Sequence, residues 1–583
     1  MSPAGEVRFS SVAIETEDVL AKQVAFSGDV LSASLGLSAH LWSHICPIEV
    51  KRSEKRCIVL VTDQYRNSDE LREVLTLLAQ RGYQLKSGPS ANHFRCTPGM
   101  LLSVAKGSIS ADDLLKSRQL QANKRDSALW QTFNDVAAWA FSEKASDIHF
   151  NILIQQERSQ IRFTIGGKYV APERWALPTV MLSQMLGVAY QRSRGGADPT
   201  FIPTKEQQCN IFLSVPGGDG GAETRVMLRW ASMATDDGPQ VTMRLLQLDV
   251  MQQSMTLEGL GYLPSQISML RRAQKSEGGA IVFAGVVGSG KSTTIATVMS
   301  EIPSTRKVMT IEDPREYIIP GSHANTISRS LDGAGPDNFK PKLATLKRSA
   351  FNDLLLGEIR DRETGLTFQD VVLSGQNLYS TTHARSALGI FDKLASPMVG
   401  IERDILATPG AVKLAVYQAL LPVNCPKCRI DGRAMLNANP VQMSEYVARL
   451  SRLYGLEPEQ IYFRNSEGCA HCRREGLPDL YGLKGRTVVA EMVEPDEQML
   501  EYVKDGNGLA LARYMQTLPR TGYRDPCMDN KTTLDCAVYK MSCGEIDPRE
   551  IEPRFSAFET IEIRQKRSTD LELRKFYKEK VAA

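Results

Sequence analysis

Eight consecutive residues of this chain have the types and spacing to hold a row of phosphates: Gly285-Val286-Val287-Gly288-Ser289-Gly290-Lys291-Ser292, a match to G-x-x-x-x-G-K-[ST]. Glycines let backbone N–H groups close around phosphate oxygens, and a helix that starts at the lysine adds partial positive charge. In that chemistry Gly285, Gly288, Ser289 and Gly290 form the cradle and Lys291 reaches the β- and γ-phosphates of ATP. Ser292 offers its hydroxyl to Mg²⁺, and Thr293 completes the binding stretch. The competing reading is a glycine-rich turn with a surface lysine. The flanks favour the phosphate site, because residues 280–284 are apolar and partly β-branched like a buried strand, and residues 293–299 can open a helix.

Phosphoryl transfer also needs an acid to order the metal shell and a base to orient water. Three further apolar runs end in candidates. Residues 307–311 lead into Glu312-Asp313-Pro314-Arg315-Glu316, residues 354–356 into Gly357-Glu358, and residues 378–381 into Thr382-His383. In an open α/β sheet, ligands gather at the C-terminal ends of strands, which is where these groups fall. Glu358 suits the metal shell, Glu312 the water, and His383 the γ-phosphate. Singly, such acids are more often helix caps or solvated charges; their recurrence after consecutive strands favours catalysis.

A second chemistry resides in Cys425-Pro426-Lys427-Cys428 and Cys469-Ala470-His471-Cys472. Two C-x-x-C pairs supply the four thiolates that Zn²⁺ takes in tetrahedral structural sites. Unligated thiols and an iron–sulfur cluster are the alternatives. His471, between two ligands, is expected beside the metal shell or in solvent. Eleven cysteines are too odd a number for a closed disulfide framework. Cys46, Cys57, Cys96, Cys209, Cys527, Cys536 and Cys543 read as buried reduced thiols.

The elements that must position these groups span 583 residues, enough for several domains. Residues 1–115 mix the apolar run Cys57-Ile58-Val59-Leu60-Val61 with a helical pattern at 71–78, a small α/β module without catalytic signature. Residues 116–126 are polar and read as a linker. An amphipathic helix follows, with Leu129, Trp130, Phe133, Val136, Ala137 and Ala140 at helical spacing. Strands are expected at 147–152, 160–165, 224–230 and 240–246, with a glycine-rich break at 216–221, giving an α+β domain over 127–250. From 251 to 583, strands alternate with helices as a parallel sheet requires. The charged tail beyond Arg564 reads as a solvated helix.

Hydrophobic content of 42% and charged content of 23% are those of an ordinary globular chain. A net charge of +3 supplies no field for nucleic acid, so no nucleic-acid partner is expected. No apolar run reaches 18 residues and the first residues lack a signal-peptide layout, so the expectation is a cytoplasmic protein that meets membranes through partners.

Ala145-Ser146-Asp147-Ile148-His149-Phe150, the glycine loop, Thr310-Ile311-Glu312-Asp313-Pro314-Arg315-Glu316-Tyr317 and Gly357-Glu358-Ile359-Arg360-Asp361-Arg362-Glu363-Thr364 resemble, in order, the signature boxes of the secretion ATPases. These are the hexameric motors of type II secretion and type IV pilus assembly, and the resemblance covers about residues 126–550. It implies a RecA-like ATPase domain, with Glu312 in the box of the catalytic carboxylate and Glu358 in the Walker B element. It further implies arginines from the preceding domain at the γ-phosphate; Arg225 and Arg244 occupy the positions, with Arg229 a weaker candidate. Assembly and secretion members carry a tetracysteine insertion, here 421–487, followed by a stretch like Lys484-Gly485-Arg486-Thr487; retraction motors typically lack it. The insertion is expected to pin a helical hairpin that includes 443–454.

The resemblance implies a homohexamer, an inner-membrane platform protein as partner, and a docking partner for residues 1–115. It leaves open a retraction or conjugation-associated motor, and a scaffold that binds nucleotide without hydrolysis. The chain departs from the family at Val286-Val287, where a Pro-Thr pair is usual, at Ala350-Phe351-Asn352 for Asp-Pro-Asp, at Gln376 for the first histidine of the histidine box, and at Gly166-Gly167 for Asp-Gly.

Overall fold

The computed structural model describes residues 30–567 except 33, 52–54, 86–92, 97, 99–100, 102–104, 106–110, 196–197, 218–222, 249–254, 314, 327–338 and 347. Two compact units divide between Gln131 and Thr132. In the first, β1 (Ile45–Lys51) runs antiparallel to β2 (Arg56–Val61), and β3 (Gln84–Leu85) and β4 (Phe94–Arg95) run parallel to β2. Helix α1 (Asp69–Gln80) starts where the Ser68 hydroxyl accepts the Leu71 amide. Its stripe of Leu71, Val74 and Leu78 is buried in one cluster with Cys57, Val59 and Val61.

The polar segment 116–126 is not an irregular linker. It lies inside α2 (Ala111–Ser142), because Lys, Arg, Gln, Leu and Ala all favour helix and neither Gly nor Pro interrupts them. The amphipathic stretch forms the end of the same helix, with Phe133, Val136, Ala137 and Ala140 buried.

The second unit begins with an antiparallel sheet. Its strands are β5 (Ala145–Asn151), β6 (Arg158–Ile165), β7 (Lys168–Val170), β8 (Ala176–Pro178), β9 (Gln207–Val215), β10 (Thr224–Met233) and β11 (Gln240–Gln247). The order is β7-β6-β5-β11-β10-β9, with β8 beside β6. Alternate residues of β6 and β9 are buried, the mark of a sheet covered on one face. Gly166 and Gly167, both at positive φ, make the two-residue turn between β6 and β7, a conformation that glycine takes without strain. Of the glycine-rich break, 218–221 falls outside the described residues.

A second, seven-stranded sheet follows: β12 (Gly279–Ala284), β13 (Val308–Glu312), β14 (Ser322–Thr326), β15 (Asp353–Glu358), β16 (Asn377–Thr382), β17 (Val412–Asn424) and β20 (Leu483–Val493). The order is β14-β13-β15-β16-β12-β17-β20, parallel throughout except for the antiparallel β17–β20 pair. Crossing to an α/β sheet with a parallel core matches the sequence expectation. Every residue of β12 and β16 is buried, as expected of central strands covered on both faces. Helix α3 (Lys291–Ser300) leaves the glycine loop and covers one face with Ile295, Val298 and Met299; α4 (Arg362–Leu373) covers the other with Phe368, Val371 and Val372.

Between β17 and β20 lies the excursion 425–482, which holds the short pair β18 (Ile430–Asp431) and β19 (Tyr462–Phe463) and helices α5 (Gly432–Ala438) and α6 (Pro440–Tyr454). Helix α6 buries Met443, Val447, Leu450, Leu453 and Tyr454. Two ion pairs join the antiparallel sheet's module to this C-terminal part: Lys168 Nζ lies 3.0 Å from Glu550 Oε1, and Arg474 Nη1 lies 3.6 Å from Glu143 Oε2. Of the scattered cysteines, Cys46, Cys57, Cys96, Cys209 and Cys536 are buried, but Cys543 is exposed and Cys527 half-buried, each in or near a surface turn. The tail 568–583 lies outside the described residues. No described helix is long and apolar enough to cross a membrane.

Candidate functional site: a phosphate cradle and a tetracysteine cluster

Strand β12 delivers the chain into residues 285–290 and α3 carries it away, so the loop is held by the sheet on one side and by a helix start on the other. Gly285, Gly288 and Gly290 all have positive φ. A Cβ on Gly285 would lie 2.4 Å from the Gln418 carbonyl oxygen and 2.5 Å from Ser289 Oγ, so no side chain fits there. The loop is anchored from below by Gln418, fully buried on β17, whose Nε2 donates to the Ser289 carbonyl at 2.7 Å. Tyr262 donates in turn to Gln418 Oε1 at 2.6 Å. Lys291 Nζ donates to the loop's own carbonyls, Gly285 at 2.8 Å and Val286 at 3.2 Å. Burial pulls its ammonium below the ordinary value, against the opposing pull of Glu358 and Glu316.

The loop opens into a cavity of about 900 Å³. Lys291, Ser292, Thr293, Glu312, Glu358 and His383 all line it, so the residues singled out from sequence converge on one space. Glu312, at the end of β13, is largely buried; burial pushes its carboxyl up, and its Oε1 has no hydrogen-bond partner. A buried carboxylate oxygen without a partner fits a site completed by an ordered water or a hydrated cation. No hydrogen bond engages the Ser292 hydroxyl among the described residues. Both atoms are therefore free for an oxygen-liking ion such as Mg²⁺. Thr293 is engaged differently: its hydroxyl sits 2.7 Å from the Tyr317 hydroxyl. At the end of β15, Glu358 Oε1 lies 3.3 Å from Nε2 of His383.

The antiparallel sheet supplies the opposite wall. Asp147 on β5, Arg244 on β11 and Arg229 on β10 are neighbours in register and face the cavity. Arg244 Nε donates to Asp147 Oδ1 at 3.1 Å, and Arg229 Nη1 to the Asp313 carbonyl at 3.4 Å. Arg225 is exposed on β10 opposite Ser214 and lies outside the cavity lining, so of the two arginines the resemblance implied, Arg244 reaches the site and the weaker candidate Arg229 joins it. His149 hydrogen-bonds Thr164 at 2.9 Å and Thr242 at 3.2 Å, a fixed position in the sheet beside Asp147.

Sequence reading missed Gln418 and Tyr262. The amide of Gln418 inside the apolar run 414–421 is the available signal, since a buried amide must find partners.

The four cysteines meet at the root of the 425–482 excursion. Sulfur separations are 3.9 Å for Cys425–Cys469, 3.7 Å for Cys428–Cys472 and 3.8 Å for Cys469–Cys472, and all four sulfurs lie within 4.8 Å of one another. A tetrahedron with zinc–sulfur bonds of about 2.3 Å has edges of about 3.8 Å, so the donor set fits that ion. The Cys469 and Gly482 amides donate to Cys472 Sγ at 3.2 and 3.3 Å. Burial alone would raise this thiol, but these bonds outweigh it and hold it at about 7, toward the thiolate a metal needs. His471 points away to Lys484, 2.9 Å distant at the surface.

A glycine loop after the first strand of a parallel sheet, with acids ending the neighbouring strands, defines an α/β protein built around a P-loop. The family model for type II/IV secretion system proteins matches residues 122–534, and the chain belongs to that family. It is 28% identical over 434 residues to the type II secretion system protein E of Aeromonas hydrophila, covering 73% of this chain and 78% of that one. Against the type II secretion system ATPase E of Vibrio cholerae, identity is 27% over 407 residues, covering 68% and 71%. Among solved structures, the ATPase DotB of Legionella pneumophila aligns with 72% of this chain and 94% of its own, at 19% identity and a TM-score of 0.46.

Proposed function

We propose that this protein is an ATPase of a secretion or type IV pilus machine, a motor that couples ATP hydrolysis to assembly of pilin-like subunits. The observation that carries the reading is the convergence of Lys291, Glu312, Glu358 and His383 on the cavity that opens from the glycine loop. Lys291 exchanges its loop carbonyls for phosphate oxygens when ATP enters. Glu312 has the unpartnered oxygen and raised proton affinity of a group that orients the attacking water and takes its proton. Glu358 orders the polar shell of the γ-phosphate, and His383, in contact with it, reports that phosphate's presence. Ser292 and these acids would hold Mg²⁺, which neutralises charge on the phosphate oxygens when bound. Arg244, paired with Asp147, is poised to exchange that carboxylate for phosphate when the module carrying it closes.

The ring is a homohexamer of RecA-like domains working at the cytoplasmic face of an inner membrane, against a platform protein, with residues 1–115 docking a further partner. The tetracysteine cluster, with structural zinc, favours the assembly branch over retraction. ATP turnover by purified protein, with lipid-embedded platform protein added, tests the reading. We expect phosphate release that falls at least a hundredfold in Lys291→Ala and Glu358→Gln. Equal turnover in the three proteins, or none in any of them, would overturn it.

A further inference from the structure

The stretch Lys484-Gly485-Arg486-Thr487 opens β20 and takes no part in the hydrolytic chemistry, yet Arg486 lines the same cavity. The sheet order explains where. The glycine loop leaves β12, with β16 and β15 on one side and β17 and β20 on the other. Glu358 and His383 end strands on the first side. Leu420, on β17, packs on the second, 3.4 Å from where a Gly290 Cβ would lie, and Arg486 pairs in register with Pro422 of the same strand. A nucleotide whose β-phosphate sits in the loop and whose γ-phosphate meets the acids therefore extends its α-phosphate and nucleoside toward β17 and β20. Tyr317, hydrogen-bonded to Thr293, lies on this path and interacts electrostatically with Arg486.

Five arginines line the cavity: Arg229, Arg244, Arg360, Arg486 and Arg554. Arg244 is paired with Asp147, Arg360 with Asp313 and Asp361, and Arg229 donates to a carbonyl, while Arg554, exposed and without an ion pair among the described residues, interacts electrostatically with Tyr417. Lys168, also in the lining, is paired with Glu550. The Arg486 guanidinium has no ion pair or hydrogen bond among the described residues. It is exposed and opens onto the cavity, with enough protein packed about it to pull its proton affinity below the ordinary value. An unpaired guanidinium keeps its N–H donors free for a phosphate that enters the cavity. Its Nη1 lies 3.8 Å from where a Gly167 Cβ would sit, so the guanidinium spans from β20 to the β6–β7 turn at the cavity's edge.

The geometry points to Arg486 as a nucleotide-binding residue that holds the α-phosphate of a nucleoside diphosphate or triphosphate at the end of the cavity opposite Glu358. This rests on the reading of the glycine loop as a nucleotide site. The test is the affinity of the purified protein for ADP, by titration calorimetry. Arg486→Gln is expected to weaken ADP binding about tenfold, roughly 1.4 kcal/mol, and Arg486→Lys, which keeps the charge, to recover most of it. Melting temperature and zinc content are measured alongside, and Arg486→Lys keeps the comparison informative if the Gln variant folds poorly. ADP affinity within twofold of the unsubstituted protein in Arg486→Gln, or equal losses in the Gln and Lys variants, overturns the proposal. Lys291→Ala separates the two readings. If it abolishes ADP binding while Arg486→Gln has no effect, only the role of Arg486 fails. If Lys291→Ala also binds normally, the loop itself is not the site.

Discussion

Glu312 illustrates at the scale of one residue how function sets a local cost. Its carboxyl is raised by burial and one oxygen lacks a partner, so the ionised form is less comfortable in the folded chain than in the unfolded one. The sign follows directly: the protonated carboxyl favours the folded state, and that contribution is present below the ordinary carboxylate range and lost as pH rises through the raised value. At neutral pH the charge is a liability that the proposed catalytic role would justify. Glu312→Gln should therefore raise the melting temperature of the nucleotide-free protein near pH 7 while removing turnover, and the gain should vanish near pH 4. A scanning calorimeter checks both, and an unchanged or lower melting temperature at pH 7 would contradict the account. Lys291, Glu312, Glu358 and His383 were all legible from the sequence because each follows its strand within a few residues. Arg486 and Gln418 were not, since their roles arise only when β17 and β20 are laid beside β12.

Elements explain where sequence reading stopped. The strands 280–284 and 354–356 were visible as short apolar runs bounded by turn residues. Strand β17, with apolar residues along most of Val412–Asn424, has no clean alternation that distinguishes a strand from a buried helix. Strand β20 opens with Lys, Gly and Arg after Leu483, which hide it, and the polarity of 116–126 suggests a linker although its residues favour helix. The tetracysteine cluster was readable as a ligand set but not as a clamp. It sits where β17 ends, and the Cys425 amide donates to the Gly482 carbonyl at 2.8 Å just before β20 begins. An ion there would tie together β17 and β20, the antiparallel pair on one side of the strand that leads into the glycine loop. Cys425→Ser should lose about one equivalent of zinc by elemental analysis and lower the melting temperature by several degrees. A variant that melts like the parent would show that the excursion needs no metal.

In the whole molecule, the cavity is walled by two sheets, one antiparallel and one with a parallel core. The α/β class with a parallel-sheet core is legible in strand spacing, whereas the antiparallel order of the preceding α+β module is not. Nor is what faces the glycine loop, because the wall that carries Asp147, Arg229 and Arg244 is set by tertiary packing. Lys168–Glu550 and Arg474–Glu143 span the same boundary, and both pairs are only partly buried, so dissolved ions can compete with them. Nucleotide trapped between the walls should accordingly leave faster as sodium chloride rises, and Lys168→Ala should leave fast at low salt with a weaker dependence on it. Stopped-flow release of a fluorescent ADP measures this, and a rate indifferent to salt in both proteins would mean that the boundary does not open along these pairs. If it does open there, the two ion pairs act as an electrostatic clasp, and the ionic strength around the machine sets the tempo at which spent nucleotide is let go.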